Sequence, residues 1–173
     1  SRVDGLPGRK VTPKPEDLRR IRVDGAKIKK VRRLSTEGSY FLSGFQWPVT
    51  GRISGVFGSQ RILNGQPRRP HVGTDIAAPL GTPVLATADG VVALVHQDMF
   101  FTGKTLMIDH GHGLASVYAH MDKILVKEGE PVTKGTAIGQ VGNTGRATGP
   151  HLHWGISLFA THLDPELVAG AMP

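Results

Sequence analysis

Residues 83–119 read PVLATADGVVALVHQDMFFTGKTLMIDHGHGLASVYA, and this stretch decides the fold class. Within it, Pro83–Ala86, Gly90–His96, Thr105–Asp109 and Ala115–Ala119 are short runs with β-branched content, each bounded by turn residues. Branched side chains lose freedom in a helix and pack well on a pleated surface, so such runs are read as strands. Two more follow at Ala137–Val141 and His151–Ile156. Lys127–Val132 and Asn143-Thr144-Gly145 read as turns between them. The chain's 23 glycines and 12 prolines agree with many short strands joined by turns. This part has neither helical periodicity nor an internal repeat. The expected architecture is mostly β, a compact antiparallel sheet or sandwich.

Working outward, the texture changes at Phe45, where Trp47-Pro48-Val49 leads into Ile53, Val56 and Phe57. Residues 45–173 are therefore expected to form the β domain, and 1–44 a basic N-terminal arm or the end of an upstream domain. Pro15-Glu16-Asp17-Leu18 could open a short helix with early acidic residues. Arg22–Leu34 alternates loosely between apolar and basic residues, as an exposed strand would.

The net charge of +7 favours anionic partners, and it is concentrated in that arm, where eight of the Lys and Arg residues fall between Arg19 and Arg33. Such a run is more often a solvated or linker-like face than a specific binding site. The arm lacks the aromatic interleaving of single-strand binders and any zinc-finger or helix-turn-helix pattern, so no specific nucleic-acid partner is expected. Phe101-Thr102-Gly103-Lys104-Thr105 hints at a phosphate loop, but Asp98 stands where the first glycine would be required. Val126–Val132 with Gly135 resembles strands of a lipoyl-type carrier, yet Lys104 has no hairpin-tip setting. The chain has no cysteine, which excludes disulfides, thiolate catalysis and thiolate–zinc sites. No apolar run approaches the ~20 residues that span a bilayer. No signal peptide is visible, and a chain opening at Ser1 reads as a processed product with any signal or anchor upstream.

The histidines carry the chemistry. In His71-Val72-Gly73-Thr74-Asp75, an extended backbone would turn residues 71, 73 and 75 to one side, with Gly73 leaving room for an ion. His151-Leu152-His153 would place two imidazoles on one strand face, and His120 ends the run Val117-Tyr118-Ala119. A catalytic zinc keeps three protein ligands and an open position, a count that two histidines and one aspartate meet. Each piece alone is commonplace; together in a β-rich chain they make a metal site as good a reading as a structural one.

At these residues the chain resembles the lysostaphin/LytM-type zinc endopeptidases, the M23 peptidases. The resemblance covers roughly residues 45–165. It runs through Trp47-Pro48, Gly55-Val56-Phe57-Gly58, His71–Asp75, Gly81-Thr82-Pro83-Val84 and Gly90-Val91-Val92. It continues through Ile108-Asp109-His110-Gly111, Tyr118-Ala119-His120, Val141–Gly145 and Gly149-Pro150-His151-Leu152-His153-Trp154. The resemblance implies a LytM-type domain with one zinc per chain held by His71, Asp75 and His153, and with His120 and His151 as catalytic histidines. It implies hydrolysis of peptide cross-links in peptidoglycan stem peptides, the D-Ala–diaminopimelate link of Gram-negative-like members, in the periplasm or cell envelope. All five residues are present, which favours an active enzyme over a non-catalytic or latent regulator of other wall hydrolases. Asn64-Gly65 is a combination typical of turns; some latent members place an upstream asparagine on the metal, and Asn64 is the alternative candidate for that here. Gly145–Gly149 either rims the substrate groove or only makes a turn. Tyr118 and Trp154 either line that groove or pack the core. His110 is expected to be structural, and His96, His112 and His162 to lie on the surface.

Overall fold

Strands laid side by side sort alternate side chains onto two faces, and both faces are covered here. The computed structural model describes residues 1–173. In chain order, β1 (Arg2–Val3), α1 (Gly8–Val11) and α2 (Pro15–Arg32) precede β2 (Arg52–Gly55), β3 (Arg61–Leu63), β4 (Gln66–Arg68) and β5 (Thr74–Ala77). Then come β6 (Pro83–Leu85), β7 (Gly90–Met99), β8 (Gly103–Gly111), β9 (Leu114–Met121), β10 (Lys123–Ile124) and β11 (Pro131–Val132). The chain ends with β12 (Ala137–Gln140), β13 (His151–Leu158), β14 (Thr161–Leu163) and α3 (Pro165–Ala169). All six expected strands are present, as β6, β7, β8, β9, β12 and β13. The expected turn at Lys127–Val132 is shorter, because Pro131-Val132 pairs with Val91-Gly90 as β11.

An eight-stranded sheet is ordered β11-β7-β8-β9-β13-β5-β2, with β14 alongside the second half of β13. Every pairing in it is antiparallel. Its inner face sends Ile76, Leu106, Ile108, Tyr118, Leu152, Trp154 and Ile156 into one core, which Val84, Ile138 and Val141 close from the side of the small sheet β10-β12-β6. Each of these large side chains contributes about 1.5–3 kcal/mol when fully buried. Tyr118 and Trp154 are both 0% exposed and belong to this core, not to a groove. Beneath it, His110 is a buried structural group, bonded through Nδ1 to the Asp89 carbonyl (2.6 Å) and through Nε2 to Ser116 Oγ (2.7 Å).

The expectation for Arg22–Leu34 is overturned: this stretch lies in α2 and the turn that follows it. The helix buries Asp17, Asp24 and Val31, a seven-residue spacing that marks one helical face. Two of those three positions are acidic, so the stripe does not look apolar and a strand-like alternation shows through instead. The acids are satisfied where they are buried. Arg9 Nε donates to Asp17 Oδ2 (2.6 Å), and the Phe100 N–H donates to Asp24 Oδ2 (2.7 Å). Val31 packs with Leu94, Met99, Met107, Ala115 and Val117 on the outer face of the large sheet. The arginines and lysines of α2 mostly point to solvent.

A second small sheet, β1-β3-β4, stands at the other end of the arm, with β1 running parallel to β3. Asn64-Gly65 is the two-residue turn of the β3–β4 hairpin, with φ of 46° and 77°. Positive φ at both positions is what a type I′ hairpin turn demands.

Candidate metal centre

Strand register places the first two groups. His153 on β13 pairs directly with Asp75 on β5 on one side and with Ala119 on β9 on the other. Because Leu152 and Trp154 point into the core, His151 and His153 are turned to the opposite face. His71 arrives differently from the expectation. Strand β5 starts only at Thr74, and Gly73 is a bend. His71 is held instead by its backbone, its N–H donating to the Ser59 carbonyl (2.9 Å) and its carbonyl accepting from Gly58 N–H (2.8 Å). Its Nδ1 lies 3.2 Å from the Val56 carbonyl, which turns Nε2 toward the other two groups.

Three donor atoms then converge. His71 Nε2 and His153 Nδ1 are 3.0 Å apart, and they lie 3.0 Å and 2.7 Å from Asp75 Oδ1. Atoms packed this closely need positive charge among them, supplied by protons or by a cation. Ligands at ~2.0–2.1 Å from a tetrahedral zinc sit roughly 3.3 Å from one another, so the triangle has about the size that such an ion needs. Two imidazole nitrogens and one carboxylate oxygen are also a donor set that zinc accepts, and the residues present fit the group.

Two glycines make the space, and one of them does so otherwise than expected. A Cβ on Gly73 would lie 2.8 Å from His153 Cε1 and 2.5 Å from the Trp154 carbonyl. Gly73 thus leaves room for the His153 ring. A Cβ on Gly55 would lie 2.6 Å from Asp75 Oδ2, so Gly55 leaves room for the carboxylate. Arg61 Nη2 donates to the same Oδ2 at 3.2 Å. Burial opposes the charge on Asp75, but the hydrogen bonds from His153 and His71 outweigh it and hold the carboxyl well below the usual carboxylate range.

His120 joins this cluster through a backbone irregularity. With Tyr118 in the core, simple alternation would send residue 120 inward as well. His120 instead has φ of 62°, and the residue after it, Met121, is the one in the core. Its ring therefore lies 4.7 Å from that of His151 and 6.2 Å from that of His153, centroid to centroid. His120 Nδ1–H donates to the Thr144 carbonyl (2.7 Å), and His151 Nδ1–H to the Gly149 carbonyl (2.9 Å). Each ring is left with Nε2 as its proton-accepting nitrogen. Burial, then the neighbouring His151 and His153, lowers His120 to about 3, and burial first also lowers His153. Both imidazoles are thereby neutral at neutral pH.

A cleft of about 390 Å³ opens beside the cluster, lined by Arg52, Arg61, Asp75, Arg146 and His151 together with Arg2, Val3, Asp4 and Leu6 of the arm. Ala147–Pro150 forms part of its wall, in keeping with the rim reading. Asn64 does not reach the centre. It is exposed, and its carboxamide accepts from Leu6 N–H (3.1 Å) and donates to the Leu6 carbonyl (2.8 Å), tying down the arm. Of the histidines expected at the surface, His112 is exposed, whereas His96 and His162 are half-buried. Arg61 had no sequence signal. Arg146 sat within the Gly145–Gly149 segment but carried no role there.

Known proteins share this fold. The profile for Peptidase family M23 matches residues 69–165, more than half of the chain. The chain is 45% identical over 112 residues to peptidoglycan DD-endopeptidase ShyA of Vibrio cholerae, a match covering 63% of this chain and 26% of that protein. It therefore spans about a quarter of the length of that relative. A crystal structure from Pseudomonas aeruginosa, described as a candidate M23 peptidase, superposes with a TM-score of 0.80 at 42% identity, covering 91% of this chain and 64% of that one. A zinc-containing peptidase from Vibrio cholerae superposes with a TM-score of 0.66 at 37% identity, covering 75% of this chain and 41% of the other. No helix of the chain is long and apolar enough to cross a membrane. With its antiparallel β architecture and its His-Asp-His cluster, the chain belongs to peptidase family M23.

Proposed function

We propose that this chain is a zinc-dependent endopeptidase that hydrolyses D-Ala–diaminopimelate cross-links between peptidoglycan stem peptides. The observation that carries the reading is the convergence of His71, Asp75 and His153 at 2.7–3.0 Å beside two further imidazoles on the same side of the sheet. The DD-endopeptidase name of the ShyA relative supports the substrate, and the zinc of the Vibrio cholerae structure supports the metal. Residues 45–173 form the catalytic unit and residues 1–44 an arm packed against it. The protein acts in the periplasm or elsewhere in the cell envelope, where that substrate lies.

His71 Nε2, His153 Nδ1 and Asp75 Oδ1 would hold one zinc. When bound, the ion polarises the scissile carbonyl and makes a water more acidic. The rest falls to this chain's side chains. His120 and His151 keep their Nδ1 protons on fixed carbonyls, so their Nε2 atoms can take a proton from the attacking water and return one to the leaving nitrogen. Once protonated, either ring also stabilises the developing oxyanion. Arg61 steadies the second oxygen of Asp75, which would leave Oδ1 free to hold the metal.

The test is elemental analysis of purified protein with release of soluble muropeptides from Gram-negative peptidoglycan, with and without chelator. About one zinc per chain and chelator-sensitive release with mass spectra showing new D-Ala termini are expected. A metal-loaded protein that releases nothing refutes the enzyme reading and leaves a regulatory module.

A further inference from the structure

The cleft beside the metal centre carries more positive charge than its own residues neutralise. Its charged lining consists of Arg2, Arg52, Arg61 and Arg146 against Asp4 and Asp75. Arg2 is paired with Asp4 at 2.7 Å, and Arg61 with Asp75 at 3.2 Å. Arg52 and Arg146 have no carboxylate partner.

Arg146 is the better placed of the two. Its backbone N–H donates to the Phe101 carbonyl (2.8 Å), and its guanidinium lies over the Phe101 ring, 4.4 Å from the centroid. The preceding Gly145 has φ of 75°, and a Cβ there would lie 2.5 Å from both Gly103 N and the Phe101 carbonyl. The loop is thus pinned against the β7–β8 turn, and the guanidinium is pre-positioned. Its one hydrogen bond is a long one, from Nη1 to the Lys10 carbonyl at 3.4 Å. Burial, then the fields of Arg61 and Arg68, lowers its pKa to about 10. An anion at this point would relieve that repulsion, and a planar carboxylate matches the guanidinium fork.

A D-Ala–diaminopimelate link carries a free carboxylate on the carbon bonded to the scissile nitrogen. A polyglycine bridge has none there. We propose that Arg146, with Arg52 on the same cleft, forms a carboxylate-binding subsite that reads this group and so selects diaminopimelate cross-links. The inference rests on the endopeptidase reading above.

The experiment uses the full zinc-loaded chain and two cross-linked peptide dimers that differ only at that carboxylate, free in one and amidated in the other. For the unaltered protein, amidation should lower kcat/KM about 10- to 100-fold, chiefly through KM. Arg146→Gln should lose a similar factor on the free acid and show little further loss on the amide. Arg146→Lys should fall between them, since it keeps the charge but not the fork. A merely structural role for Arg146 would weaken both substrates equally. That outcome, or equal cleavage of the two dimers by the unaltered protein, overturns the subsite and leaves the endopeptidase reading standing. No cleavage of either dimer overturns both.

Discussion

Replacing Gly73 with alanine tests the geometry of the metal centre with a single methyl group. The backbone at Gly73 does not require glycine through a positive φ, so the effect is steric alone. The added Cβ would lie 2.5 Å from the Trp154 carbonyl, 2.8 Å from His153 Cε1 and 3.1 Å from His153 Nε2. Favourable carbon contacts begin near ~3.5 Å, so about 0.7 Å must be found on the imidazole side alone. Trp154 cannot yield. It is fully buried and is paired with Tyr118 on one side and Thr74 on the other. The His153 ring and the start of β5 must move instead. Metal–ligand distances tolerate only about 0.2 Å, so zinc affinity should fall at least 10-fold, in the range of roughly 10- to 100-fold. Overpacking of this kind also costs about 1–3 kcal/mol in the apo protein, or roughly 2–12 °C in Tm. Competition with a chromophoric chelator reads the affinity, and thermal unfolding of chelated protein reads the stability. A Gly73→Ala protein with zinc affinity within about twofold of the parent and an unshifted Tm would refute the steric argument.

Three further outcomes follow from the same structure. His120→Ala should retain about one zinc yet lose about 10²- to 10⁴-fold in turnover, whereas His153→Ala should lose the zinc as well; a zinc-replete His120→Ala enzyme of near-normal turnover sinks the role given to His120. Burial holds His110 below the ordinary imidazole value, so below pH ~6.5 the unfolded chain binds more protons than the folded one. Stability should therefore fall as pH drops from about 6.5 toward the depressed folded value and stay flat above that window. His110→Asn should lose part of this slope in urea midpoints taken between pH 7.5 and 5.5, and identical slopes would refute it. Gly25 lies inside α2 with open space where a Cβ would go, so Gly25→Ala should stabilise by about 0.5–1 kcal/mol, and an unchanged or lower Tm counts against the helix.

Much was legible from local pattern. Six strands were placed because β-branched runs between turn residues report a property of the strand itself. His151 and His153 were put on one face by the two-residue period, and the pairing of His153 with Asp75 realises it. What failed did so where a distant partner altered the meaning of a residue. The stripe of α2 was masked because Asp17 and Asp24 are buried by virtue of Arg9 and the Phe100 N–H, neither of which the helix contains. Asn64 was read as a turn residue, which it is, and only alternatively as a metal ligand; its carboxamide goes to Leu6 of the arm instead.

By itself, then, the sequence determined the strand content and the absence of thiol chemistry, which depend on residue type and short spacing, and through its family resemblance it named five candidate residues for a metal site. Tertiary structure decided which atoms meet. The left-handed backbone at His120, worth about 1–2 kcal/mol of strain, brings its ring round to His151 against simple alternation. The same holds for Gly73 making room for an imidazole, for Arg61 on Asp75, and for Arg146 unpaired in the cleft. Those contacts join segments far apart in the chain, and only the packing of sheet, loop and arm sets their distances.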